Sequence, residues 1–283
     1  MRPGSPRRLV AVLAHPDDES LGVGGTLAWY ASRGVEVFLV TATRGDAGRF
    51  RGHRPGSEQH PGREALAAIR EAELRAAAAV LGVREVVLLG YPDQQLDLAD
   101  PREVVGRIVA ELRRFCPDVV VTFGPDGAYG HPDHVAISQL TTAAVVTAAD
   151  GAFASKPPND RPAHSVSKLY YVAWPAETWS AYQAAVQTLS ATVDGVERRA
   201  TPWPDWTITT VVDTSDVCPV VSRAVACHES QLAGYERLRA LPPEHHRTLW
   251  GRQSFYRAFS TVNGGRRRET DLFEGIPPTD ELA

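Results

Sequence analysis

The sequence predicts an α/β fold: a Rossmann-like, mostly parallel sheet with helices on both faces, followed by a C-terminal extension. Two observations carry that expectation. Short apolar runs alternate with longer stretches of helical spacing through the first half of the chain. The runs also lack the every-other-residue polarity of a half-exposed sheet, so they read as strands covered on both sides. Residues 9–14 form the first of them, and residues 24–33 the helix that follows. Residues 35–43, rich in β-branched side chains, give strand two. The alanine-rich segment Arg63–Leu81 is a helix that Gly82 closes, and residues 85–89 are strand three. Pro101–Phe115 reads as a helix with proline in its first turn, ahead of strand four at 118–123. A helix at 133–149 and strand five at 168–174 complete the regular part. After Glu177 the alternation decays, leaving a strand at 207–213 and a helix at 222–241. The expected organisation is a catalytic core over 1–175, with 176–283 completing the same domain and its cleft.

In sheets of this kind, ligands sit beyond the carboxyl ends of the strands, where the strand order reverses. Functional residues should therefore follow strand one and the strand beside it across that point, expected to be the fourth. Segments 44–62 and 150–167 are long for connections in a compact domain and read as lids, substrate-binding loops or partly disordered stretches.

Composition narrows the classes of function. The 283 residues are 43% hydrophobic, as in a globular protein, and the net charge of −4 supplies no basic field for nucleic acid or an anionic membrane. Arg2, Arg7 and Arg8 precede an apolar stretch, but it ends at His15, too early for a secretion signal. No apolar run nears the roughly 20 residues that span a bilayer. The expectation is a cytoplasmic protein, and three cysteines without CxxC spacing agree with it. Oligomeric state is left open, a homo-oligomer included.

Two constellations carry chemistry. His15-Pro16-Asp17-Asp18-Glu19 directly follows strand one. Burying a histidine and several carboxylates there is costly without a partner, and a divalent cation is the obvious one. A turn through Pro16 would aim His15 and Asp18 at one point with Asp17 beside it. A hydrophilic turn whose aspartates cap the next helix is the plainer alternative. A dinucleotide loop fits poorly, because Gly22, Gly24 and Gly25 lack the G-x-G-x-x-G spacing and the acids would repel a diphosphate. The second constellation, Tyr129-Gly130-His131-Pro132-Asp133-His134, follows strand four. Its two histidines stand three apart at a helix start and so share a side. Together the loops offer His15, Asp18 and His134 around a vacant position, the pattern of a catalytic zinc site.

These paired motifs resemble the signatures of the PIG-L/LmbE-like zinc de-N-acetylases, in order, spacing and strand context through roughly Ala149. A looser similarity continues to Cys227-His228-Glu229-Ser230-Gln231, which resembles a helix segment of the larger, thiol-pathway (mycothiol and bacillithiol) members. The resemblance implies hydrolysis of the acetamide of an N-acetylglucosamine glycoside, giving acetate and a free amine. It implies His15, Asp18 and His134 as metal ligands and Asp17 as general base. His131 corresponds to an oxyanion stabiliser or proton donor whose ring Asp133 orients, and Tyr129 to a group polarising the carbonyl. Arg70 and Asp46 fall where family members contact substrate, and His228 is a further residue expected to line the site. Zn2+ is the expected metal, although such a donor set also accepts Fe2+. The expected partner is a small N-acetylated amino-sugar glycoside, in low-molecular-weight thiol synthesis. Amide cleavage in thiol S-conjugates and deacetylation of an antibiotic are the alternatives. Of the tryptophans Trp174, Trp179, Trp203, Trp206 and Trp250, core packing accounts for most.

Overall fold

A computed structural model describes residues 6–157, 160–186, 190–193, 196–199, 201–265 and 267–277. Seven strands form the main sheet. In chain order they are β1 (Arg8–Leu13), β2 (Glu36–Thr43), β3 (Glu85–Tyr91), β4 (Val119–Phe123), β5 (Lys168–Val172), β8 (Thr210–Asp213) and β9 (Arg252–Ser260). A separate hairpin of β6 (Ser190–Val193) and β7 (Val196–Arg199) stands outside it. Across the sheet the order is β3-β2-β1-β4-β5-β9-β8. The first five pair in parallel, and β9 runs antiparallel to both β5 and β8.

Strands β1, β2 and β4 are buried almost along their whole length, as runs of Val, Leu, Ala and Phe with a few threonines require of a sheet covered on both faces. The covering helices are α1 (Asp18–Leu21), α2 (Gly24–Ala31), α3 (Arg63–Leu81), α4 (Pro101–Phe115), α5 (Gly127–Gly130), α6 (Pro132–Ala148), α7 (Ala176–Val186), α8 (Cys218–Cys227), α9 (Leu232–Arg239) and α10 (Pro243–Trp250). Helix α4 packs on α6, and α3 on α8. Local signals act as expected at two ends: Gly82 closes α3 with φ 78°, and the Asp100 side chain accepts the Arg102 N–H at the start of α4. No helix among the described residues is long and apolar enough to cross a membrane.

The strand order reverses between β1 and β4, which lie side by side with Leu9 to Ala11 opposite Val119 to Val121. Both constellations therefore emerge at one crevice. The expected single helix at 222–241 is broken: α8 ends at Cys227 and α9 begins at Leu232. The break has a physical cause. His228 turns inward to Glu19, while the Ser230 N–H and hydroxyl donate to the two oxygens of Glu73 on α3, at 2.6 and 2.7 Å. Strand β9 and helices α7 and α10 have no counterpart in the sequence expectation.

Candidate metal and catalytic site

The turn after β1 and the turn before α6 meet around His15 and His134, and the protons on their rings can be assigned from neighbours. His15 Nε2 faces Asp133 Oδ2 and Asp93 Oδ1, each at 3.1 Å. Ionised carboxylates only accept, so Nε2 carries the proton. His134 Nδ1 lies 3.2 Å from the Gly127 carbonyl, which fixes its proton in the same way. The remaining nitrogens, His15 Nδ1 and His134 Nε2, lie 3.1 Å apart, so either a proton sits between them or both face a cation. Asp18 joins them, with Oδ1 3.4 Å from His134 Nε2 and Oδ2 3.7 Å from His15 Nδ1. Three converging acceptors in a buried place call for a cation. Their separations bracket the roughly 3.3 Å between ligands that sit about 2.0 Å from a tetrahedral ion.

His15, Asp93 and Asp133 also bring ligand-type atoms within 4.8 Å of one another. That side is closed: Asp133 already accepts from the Gln94 and Leu96 N–H groups, and Asp93 from Ala47. The Asp18 and His134 side opens instead on a cavity of about 170 Å³. Asp17, Tyr129, Phe123, Trp174, Tyr182 and Leu238 are among its walls. Asp93 and Asp133 both stand where carboxylates that orient the His15 ring would stand.

Charge follows the same logic. Burial alone would lower the His15 pKa, but the bonds to Asp133 and Asp93 and the charge of Asp18 outweigh it and raise it to about 10. A proton thus answers part of the demand for positive charge. Burial likewise opposes ionisation of Asp93, yet His15 holds it down to about 2. Asp93→Asn is expected to weaken metal binding by about 10- to 100-fold, read by competition with a chelator.

Asp17 occupies the N-terminal end of α1 at φ 110°, ψ −25°, and makes no side-chain cap there. A non-glycine residue at positive φ costs on the order of 1–3 kcal/mol and persists only where its surroundings impose it. Here they do. Arg70 Nη2 donates to Asp17 Oδ2 at 2.9 Å and also to the Pro16 carbonyl, while Nη1 donates to the Gly45 carbonyl. Gly45 in turn has φ +64°, and a Cβ there would lie 2.3 Å from Arg70 Nη1. Gly45→Ala should displace the guanidinium and lower kcat by about tenfold or more, with a fall in stability of about 1–3 kcal/mol. Steady-state kinetics and denaturant melts would read the two effects.

Several expected roles change. The Asp133 carboxylate does not orient His131; it bonds His15, and it is the Asp133 N–H that donates to His131 Nδ1, at 3.2 Å. Burial and the neighbouring His15 and His134 hold His131 down to about 4, which favours a neutral ring with its proton on Nε2. Its ring still lies 4.7 Å from that of His15 and 6.0 Å from that of Tyr129. Arg70 is buried and bonds the Asp17 carboxylate. His228 is fully buried on Glu19, 2.7 Å away, and does not line the cavity. Asp46 accepts from Arg63 and from the Asp93 N–H, so it braces the loop. Asp93 was missed, although an acid directly beyond strand three is the signal that the crevice rule provides.

Comparison with known proteins now bears on the site. A family model described as GlcNAc-PI de-N-acetylase, PIG-L, matches residues 10–145. A 1D-myo-inositol 2-acetamido-2-deoxy-alpha-D-glucopyranoside deacetylase of Kineococcus radiotolerans is 35% identical over 317 residues, covering 97% of this chain and 84% of that protein. This chain belongs to the PIG-L family. Among solved structures, the PIG-L chain resembles N,N'-diacetylchitobiose deacetylase from Pyrococcus horikoshii with a TM-score of 0.65, at 23% identity over 89% of this chain and 83% of that one. It is equally similar in fold to a 4-carboxy-2-hydroxymuconate hydratase from Pseudomonas putida, with a TM-score of 0.66 at 17% identity, over 92% and 99% of the two chains. One fold thus spans a deacetylase and a hydratase, and the PIG-L fold by itself does not choose the reaction.

Proposed function

We propose that this protein hydrolyses the acetamide of an N-acetylglucosamine glycoside, releasing acetate and the free amine, with a divalent cation held by His15, Asp18 and His134. The observation that carries the reading is the convergence of three acceptor atoms at a cavity whose mouth also holds Asp17. When bound, the cation supplies Lewis acidity toward water and an amide carbonyl; zinc is our choice, with ferrous iron as the rival. Asp17 accepts the proton of the attacking water at its carboxylate, which Arg70 holds in place. Burial, with Asp18 and Asp17 close by, keeps the Tyr129 phenol protonated, so it can donate to the developing oxyanion. The His131 Nε2–H is the second donor. Because His131 is held neutral, Asp17 also returns its proton to the departing nitrogen.

The names of the relatives support a substrate in which the glucosamine is linked to inositol, and hence a place in low-molecular-weight thiol synthesis. Residues 1–175 act as the catalytic core, and 176–283 complete its cleft through Tyr182, Gly234 and Leu238. Three free cysteines suit a reducing, cytoplasmic setting. The test is acetate release from a panel of N-acetylglucosaminides by metal-stripped protein reloaded with zinc, iron or manganese. Release restored by one ion, and fastest with the inositol glycoside, is the expected result. Bulky-acid release from thiol conjugates without acetate release would overturn it.

A further inference from the structure

Glu19 is invisible from the cavity, yet it bonds three neighbours. It is fully buried, as is His228. Its Oε2 accepts the Asp17 N–H at 2.9 Å, and its Oε1 lies 2.7 Å from His228 Nε2 and accepts the Ser20 hydroxyl at 2.5 Å. We infer that Glu19, fixed by His228 from the turn between α8 and α9, is a positioning residue that sets the conformation of Asp17.

The case rests on how the two parts of the site are held. The metal-facing carboxylate of Asp18 is anchored by backbone alone: Oδ2 accepts the Ala14 and His15 N–H groups at 3.2 and 2.8 Å. The Asp17 N–H is instead held by a side chain. At φ 110° that N–H donates to Glu19 Oε2 at 2.9 Å. A donor turned from water needs an acceptor, so the Glu19 bond shares with the Arg70 contacts the task of holding the strained conformation. Without the bond, the Arg70 contacts alone would hold Asp17, and its carboxylate would be less firmly fixed at the cavity. The metal cage would be untouched.

Glu19 is itself held from far along the chain. The His228 turn is pinned by Ser230 on Glu73, by the Arg51 N–H on the Ser230 carbonyl at 2.6 Å, and by the Gln231 amide on the Arg49 carbonyl at 2.7 Å. One four-residue break therefore ties together the base, helix α3 and the loop at 44–62. This accounts for a histidine-bearing segment that makes no contact with the cavity.

The inference rests on Asp17 being the base, and the test separates the two. Wild type, Asp17→Asn, Glu19→Ala, Glu19→Gln and His228→Leu are compared for zinc affinity of the stripped protein, thermal midpoint, kcat and KM. Glu19→Ala is expected to lower kcat by about 30-fold or more while KM and zinc affinity stay within about threefold. Glu19→Gln, which can keep an acceptor on the Asp17 N–H, should recover at least about a third of that loss on a logarithmic scale, and His228→Leu should fall between. A parallel loss of zinc affinity and kcat, or equal kcat in Glu19→Ala and Glu19→Gln, would overturn the positioning role. Should Glu19→Ala not fold, His228→Leu and Glu19→Gln carry the same comparison. If Asp17→Asn itself keeps wild-type kcat, the reading of the base fails instead.

Discussion

Asp17→Asn is expected to lower kcat by about 10³-fold while zinc affinity stays within about threefold of the parent. The amide keeps the shape of the carboxylate and an oxygen for Arg70 Nη2, so the turn at φ 110° has no new reason to relax. It cannot accept a proton at neutral pH. The cation-facing atoms of His15, Asp18 and His134 owe nothing to the Asp17 side chain, since Asp133, Asp93, the Gly127 carbonyl and two backbone N–H groups set them. Stopped assays of acetate release beside a zinc titration give both quantities. A variant that loses zinc along with turnover, or one within tenfold of the parent in kcat, would sink the assignment of Asp17 as base.

Glu269→Gln is expected to destabilise the protein by about 3–5 kcal/mol without touching the cavity. Its carboxylate accepts from Lys168 at 2.7 Å, Tyr170 at 2.6 Å, Thr210 at 2.8 Å, Arg257 at 2.6 Å and Asn263 at 2.6 Å. Those donors stand on β5, β8, β9 and the turn after β9, so one acid joins the antiparallel end of the sheet. Lys168 is wholly buried, and removing the anion leaves its ammonium beside the Arg257 guanidinium. Burial opposes ionisation of Glu269, but Lys168, Tyr170 and the other donors outweigh it and lower the carboxyl from 4.5 to about 2. A depressed carboxyl stabilises the fold above its ordinary value and stops doing so as pH falls through its folded one. The difference between wild type and variant should therefore be full above about pH 4.5 and shrink toward pH 2. Denaturant melts at several pH values would show it, and a constant difference across that range would count against the network.

What the sequence made legible follows from where the signal is local. Buried parallel strands must be continuously apolar, so β1, β2 and β4 could be read directly, and the rule for strand ends placed both histidine motifs at one crevice. The meeting of His15, Asp18 and His134 was legible for the same reason, because His15 and Asp18 share one turn. Roles that depend on which side chain meets which across the chain were not legible. Asp133 lies two residues from His131 yet serves His15, 118 positions away. His228 reaches Glu19 across 209 positions, and nothing in its helical neighbourhood announces that the helix must break to let it. Arg70 was expected beside the substrate, and its bond to Asp17, 53 positions away, has no local signal.

The insertion of β9 between β5 and β8 bears on how the chain can be handled while it is being made. Until residues 252–260 have been synthesised, β5, Lys-Leu-Tyr-Tyr-Val, presents an unpaired outer edge that is apolar and nearly buried in the finished protein. Such an edge is a template for pairing with another chain. A fragment ending near residue 175 would carry both histidine motifs and an open edge, and it should come out of expression as aggregate rather than as a minimal enzyme. Lys168, the only charge on that strand, would then be a gatekeeper on an exposed rim, a duty it gives up once Glu269 covers it.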